Sequence, residues 1–138
     1  MGRRNVLFDT NILIDYLSGI PQARLEMERY SQRAISIITW MEVMAGTTPK
    51  DEKQIRAFLL TFSILPVIAE IAERAFVLRR QRKIKLPDAI IQATAQEEDR
   101  LLITRIDCET IASDASHRET CRSSCRGRTI PTRDFPIR

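Results

Sequence analysis

An α/β fold on a parallel sheet is predicted for this chain, on three observations. Short apolar runs, VLF at 6–8, AISIIT at 34–39, SILPV at 63–67 and RLLIT at 100–104, alternate with longer stretches of helical period, the order that builds βα units. The run at 34–39 is β-branched and apolar, four of its six residues being Ile or Thr. At 138 residues and 43% hydrophobic, the chain can bury one sizeable core, so a single domain is expected and no internal repeat is visible.

The elements follow in order. Residues 5–8 form the first strand, and a helix from about 11 to 18 stops at Gly19 and Pro21, a stop and a restart. A second helix covers about 21 to 31. The buried strand at 34–39 runs directly into TWMEVMAG, which has helical composition and a Gly stop at 46. Residues 51–61 read as a helix with Ile55, Phe58 and Leu59 on one face, and 63–67 as a short strand. Residues 67–82 place Ile68, Ile71, Ala72, Ala75 and Phe76 at helical spacing, predicting one apolar stripe. Pro87 sits where the first turn of another helix begins, and DAIIQATAQEED continues it before the chain returns to strand. From about 106 large apolar residues become scarce and Ser, Thr, Arg and Cys dominate. A partly ordered tail, an edge element around RTIPT and a segment needing a partner all remain open.

Composition excludes several classes. No uncharged apolar run approaches the roughly 18 residues needed to cross a bilayer, so a soluble protein is expected. The basic start at Arg3 and Arg4 is followed by Asp9 and Asn11, which interrupt the apolar segment an export signal needs. Cys108, Cys121 and Cys125 are odd in number and confined to the last third, against a disulfide scaffold and in favour of a reducing cytoplasm. Twenty-two Lys and Arg against 18 Asp and Glu give a net charge of +4, a mild bias that suits a polyanionic partner. His117 with Cys121 and Cys125 gives a spacing that matches no recognised zinc motif.

The carboxylates carry the functional signal. Asp9 closes a buried strand, where a carboxylate costs several kcal/mol unless paired or metal-bound. Glu42 is expected in the first turn of the helix after the second strand, and Asp107 and Glu109 follow the last strand. In a parallel sheet these positions share one edge, where open α/β folds bind ligands; Asp88 begins a helix. Taken singly, each acid has a plainer explanation: Asp9, Thr10 and Asn11 as helix caps, Glu42 and Asp88 as complements to a macrodipole, Asp107 and Glu109 as solvated loop. Only the shared edge favours more. Several acids gathered without a basic neighbour repel one another unless a divalent cation neutralises them, and oxygen ligands without His or Cys favour Mg²⁺ or Mn²⁺ over zinc. Asp15 is expected at a surface or in a salt bridge, with the sheet edge also within its reach, and Trp40 and Met41 in the core. The run RRQRKIK at 79–85 is either a solvated helix end or a phosphate contact.

Through FDTNILIDYL, IITWMEVMAG, KLPDAIIQATA and LLITR, four motifs in order over residues 5–105, the sequence resembles PIN-domain ribonucleases and among them the VapC-type toxins of bacterial toxin–antitoxin pairs. The resemblance implies an α/β/α sandwich with a central, mostly parallel sheet over residues 1–105, an atypical tail at 106–138, and metal-dependent endoribonuclease activity in the cytoplasm. It implies an RNA substrate, a VapB-type antitoxin and a homodimer as partners, with Tyr16 and Leu17 as candidates to line the antitoxin groove. Carried over by position, Asp9, Glu42 and Asp88 match the family's acids, Asp9 and Asp88 as ligands of Mg²⁺ or Mn²⁺, while Asn11 and Thr104 match the polar residues beside them. Arg105 is a candidate to hold a flanking phosphate. The fourth motif departs: TRIDCET places Glu109 where relatives carry an acid but has Ile106 and Thr110 around it, so Glu109 is favoured over Asp107 as fourth acid, and TRDFP at 132–136 looks like a displaced fragment. A degenerate, non-cleaving PIN-like module for RNA or a protein is the alternative. A phosphatase of the haloacid dehalogenase type needs a second Asp two residues after the first, where Asn11 stands.

Overall fold

The computed structural model describes residues 5–104, which contain four strands and six helices: β1 (Asn5–Phe8), α1 (Thr10–Leu17), α2 (Pro21–Glu28), β2 (Gln32–Ser36), α3 (Ile37–Ala45), α4 (Glu52–Leu59), β3 (Ser63–Leu65), α5 (Ala69–Arg82), α6 (Leu86–Glu97) and β4 (Leu101–Ile103). The strands form one parallel sheet in the order β3-β2-β1-β4. This is the α/β/α sandwich expected.

Side-chain alternation along the strands divides the core. Val6, Phe8, Ile35 and Ile103 face one layer, where Ile12, Leu13, Met27, Val43, Leu59 and Phe62 close over them. Leu7 and Ala34 face the other, covered by Ile91 and Ala95 of α6. Alpha5 packs on α6 in turn, through Ile71, Ala75 and Leu78 against Ala89 and Ala93.

Local chemistry sets the boundaries. Gly19, at φ 78°, ends α1: its N–H donates to Tyr16 O and that of Ile20 to Asp15 O, the paired bonds of a Schellman cap. Beta2 stops at Ser36, earlier than the β-branched run suggests, because the Ser36 hydroxyl accepts from the N–H of Ile38 at 3.2 Å and caps α3. Ile37, Ile38 and Thr39 therefore turn helical, and Glu42 lies in the second turn of α3, not the first. On α5 the buried line is Ile71, Ala75 and Leu78, whereas Phe76 is 54% and Ile68 44% exposed; the stripe expected from spacing is rotated, because α6 meets the helix from one side only.

Candidate functional site at the carboxyl edge of the sheet

Asp9 is held where β1 gives way to α1. Its backbone N–H donates to Ile103 O at 2.9 Å, extending the β1/β4 ladder by one bond and fixing the residue beside the end of β4. Oδ1 accepts from the N–H of Thr10 at 2.7 Å and caps α1, and Oδ2 accepts from the Thr104 hydroxyl at 2.8 Å. The residue is 8% exposed. The capping role expected of an Asp here is thus real, yet it occupies only one of the two oxygens.

Thr10 ties this edge to α3. Its buried hydroxyl donates to Glu42 Oε2 at 2.5 Å and lies 3.2 Å from the hydroxyl of Thr39. One hydroxyl carries one proton, so with Thr10 donating to the carboxylate, Thr39 is the donor in the second contact. The chain Thr39, Thr10, Glu42 orients a half-buried carboxylate through the residue that follows Asp9. Sequence singles out neither threonine as a site residue; the available signals are the adjacency of Thr10 to Asp9 and the i,i+3 spacing of Thr39 and Glu42, which puts them on one helix face.

Asp88, half-buried, stands in the first turn of α6. Only three residues separate α6 from β4, so the end of α6 lies at the amino edge of the sheet and its start, with Asp88, lies toward the carboxyl edge. Asn11 is exposed in the first turn of α1, and Thr104 is exposed at the end of β4. Asp15 is buried, 8% exposed, rather than at the surface. Trp40 is half-buried against the core with Arg56 over its ring, while Met41 is exposed. Tyr16 and Leu17 pack against the core, Tyr16 stacked on Phe58 at 4.9 Å. Arg105, Asp107, Glu109, the tail and its cysteines lie outside the described residues. Among the described residues, no three His, Cys, Asp or Glu side chains are grouped to hold a metal ion, and no helix is long and apolar enough to cross a membrane.

A parallel α/β/α sandwich with buried and half-buried acids at its carboxyl edge defines the class. The chain belongs to the PIN domain family, whose model matches residues 6–105. No curated protein matches it. Among solved structures, it is similar to a chain of a toxin–antitoxin complex from Klebsiella pneumoniae, with 48% identity, a TM-score of 0.73, and 80% of this chain and 93% of that one covered. It shares its fold with a chain of VapBC2 from Rickettsia felis bound to a promoter DNA fragment, at 21% identity and a TM-score of 0.62, over 85% of this chain and 91% of that one.

Proposed function

We propose that the protein is a metal-dependent endoribonuclease and the toxin of a toxin–antitoxin pair. The observation that supports this reading is the buried Asp9, bonded to Thr104 at the end of β4 and followed by Thr10, whose hydroxyl binds Glu42, in a PIN domain. The 48% identity to a chain of a toxin–antitoxin complex supports the biological role and a VapB-type antitoxin as partner.

The donors at the edge are carboxylate and hydroxyl oxygens, the set that a hard dication such as Mg²⁺ or Mn²⁺ takes. Asp9 and Asp88 would hold it, with Glu42 and Glu109 acting directly or through water. When bound, such an ion supplies a lowered water pKa and positive charge against the phosphate. The protein's own part is orientation. Thr104 and the N–H of Thr10 fix both oxygens of Asp9, and Thr10 fixes Glu42, so the carboxylates need little reorganisation as charge develops on the phosphate. Asn11 and Arg105 would line the site, Arg105 at a flanking phosphate.

Purified protein should cut single-stranded RNA internally with Mg²⁺ or Mn²⁺ and stop with EDTA. Expression alone should arrest growth, and the neighbouring gene product should relieve the arrest. The absence of a three-acid group among the described residues favours a second reading, a PIN-like module that binds without cutting. Metal-dependent cleavage that disappears in Asp9→Asn decides for the first; RNA or protein binding without cleavage decides for the second.

A further inference from the structure

The hairpin between α5 and α6 concentrates more cations than folding explains. Five of the seven residues at 79–85 are Arg or Lys, and all five are exposed. Among the described residues, the salt bridges join Arg24 to Glu28, Arg29 to Glu26, Arg56 to Glu52 and Arg74 to Glu97. None involves residues 79–85, where Arg82 donates to the neutral amide of Gln92 at 3.1 Å. Helical arginines elsewhere have an acid at hand, whereas the positions three and four before Arg79, Arg80 and Arg82 hold Ala75, Phe76, Val77, Leu78 and Arg79.

Arg79, Arg80 and Arg82 do complement the macrodipole in the last turn of α5. Lys83 and Lys85 occupy positions that favour other residues. Lys83 has φ 53°, the left-handed conformation that glycine adopts without strain. Lys85 is the N-cap of α6, makes no capping bond, and sets a cation at the positive end of a helix. Two successive departures from the residue that stability favours, both toward positive charge, indicate an anionic ligand. Phe76 adds its character: it is 54% exposed, with the Arg80 guanidinium 5.3 Å from its ring centroid. A flat ring and guanidinium beside a basic run suit unstacked bases on a phosphate chain.

We propose that this hairpin holds the phosphate backbone of single-stranded RNA through Arg79, Arg80, Arg82, Lys83 and Lys85, with Phe76 as the surface on which a base stacks. Lys85 precedes Asp88 by three residues, so a strand gripped here continues toward the carboxyl edge of the sheet. That placement of substrate rests on the nuclease reading above; the binding itself does not.

The test is fluorescence anisotropy with a labelled 12-nucleotide oligouridylate in EDTA, titrated with salt, alongside thermal melting. Lys83→Gly combined with Lys85→Ser should melt higher than wild type and bind more weakly. Its slope of log K against log salt should be shallower by about 1.4, at about 0.7 for each single-strand phosphate that the variant no longer neutralises. Phe76→Ala should weaken binding about fivefold or more with the slope unchanged, since stacking releases no counterions. An unchanged slope and affinity in the double variant, no measurable binding by wild type, or tighter binding of duplex DNA of equal length overturns the proposal. A protein that binds as described but cuts no RNA with Mg²⁺ leaves the hairpin assignment standing and removes the nuclease reading. Cleavage with hairpin variants that bind like wild type does the reverse.

Discussion

Replacing Asp9 separates what the carboxylate does for the fold from what it does for chemistry. Its two oxygens accept from the N–H of Thr10 and the hydroxyl of Thr104. Asn can keep both bonds, with Oδ1 on the Thr10 N–H and Nδ2 donating to a rotated Thr104 hydroxyl, and Asn caps helices about as well as Asp. Asp9→Asn should then stay within about 1 kcal/mol of wild type, the weaker interaction with the helix dipole being offset by relief from burying a charge. Asp9→Ala removes the cap, worth about 1 kcal/mol, and the bond to Thr104, worth about another 1 kcal/mol. At roughly 4 °C per kcal/mol for a domain of this size, it should melt about 8 °C lower. Urea and thermal unfolding in EDTA keep metal linkage out of the comparison, and cleavage of a labelled RNA with Mg²⁺ supplies the second readout. The expected result is no cleavage by either variant and a stability loss only in Ala. Wild-type cleavage by Asp9→Asn would falsify the site assignment. If Asn falls as far as Ala, the two bonds require the charge and the neutral replacement is misjudged.

Thr10→Val keeps the side-chain shape but removes both the donor to Glu42 and the acceptor for the buried Thr39 hydroxyl; a loss of about 2 to 3 kcal/mol in urea unfolding is expected, because a charge-assisted bond disappears at a partly solvated carboxylate and a buried hydroxyl loses its partner. Mg²⁺ added to the metal-free protein should raise the melting temperature of wild type and leave Asp9→Asn unmoved; equal shifts in both would place the ion elsewhere. Glu109→Gln should reduce cleavage and metal affinity less than Asp9→Asn, and Asp107→Asn less still. Equal damage from Asp107→Asn and Asp9→Asn, with Glu109→Gln neutral, would reverse the choice of fourth acid.

Periodicity and punctuation make most of the fold legible in the chain itself. Val6 to Phe8 running into Asp9 announces a buried strand that ends at an acid, Gly19 and Pro21 mark a stop and restart, and Pro87 opens α6, because each depends on backbone preferences within a few residues. The alternation of elements also implies a parallel sheet, and hence a carboxyl edge where Asp9 and Glu42 lie. The strand order β3-β2-β1-β4 came only from tertiary packing, as did the contact between Thr104 and Asp9 across 95 positions of sequence. So did the extension of α3 back to Ile37: the β-branched run favours strand, and the Ser36 cap with burial of Thr39 overrides that preference. On α5, apolar spacing admits two overlapping stripes, and only contact with Ala89 and Ala93 of α6 selects Ile71, Ala75 and Leu78 over Ile68, Ala72 and Phe76. Local sequence determines which conformations are inexpensive at each position, while the choice among them is made by burial against residues far away in the chain, which no local pattern contains.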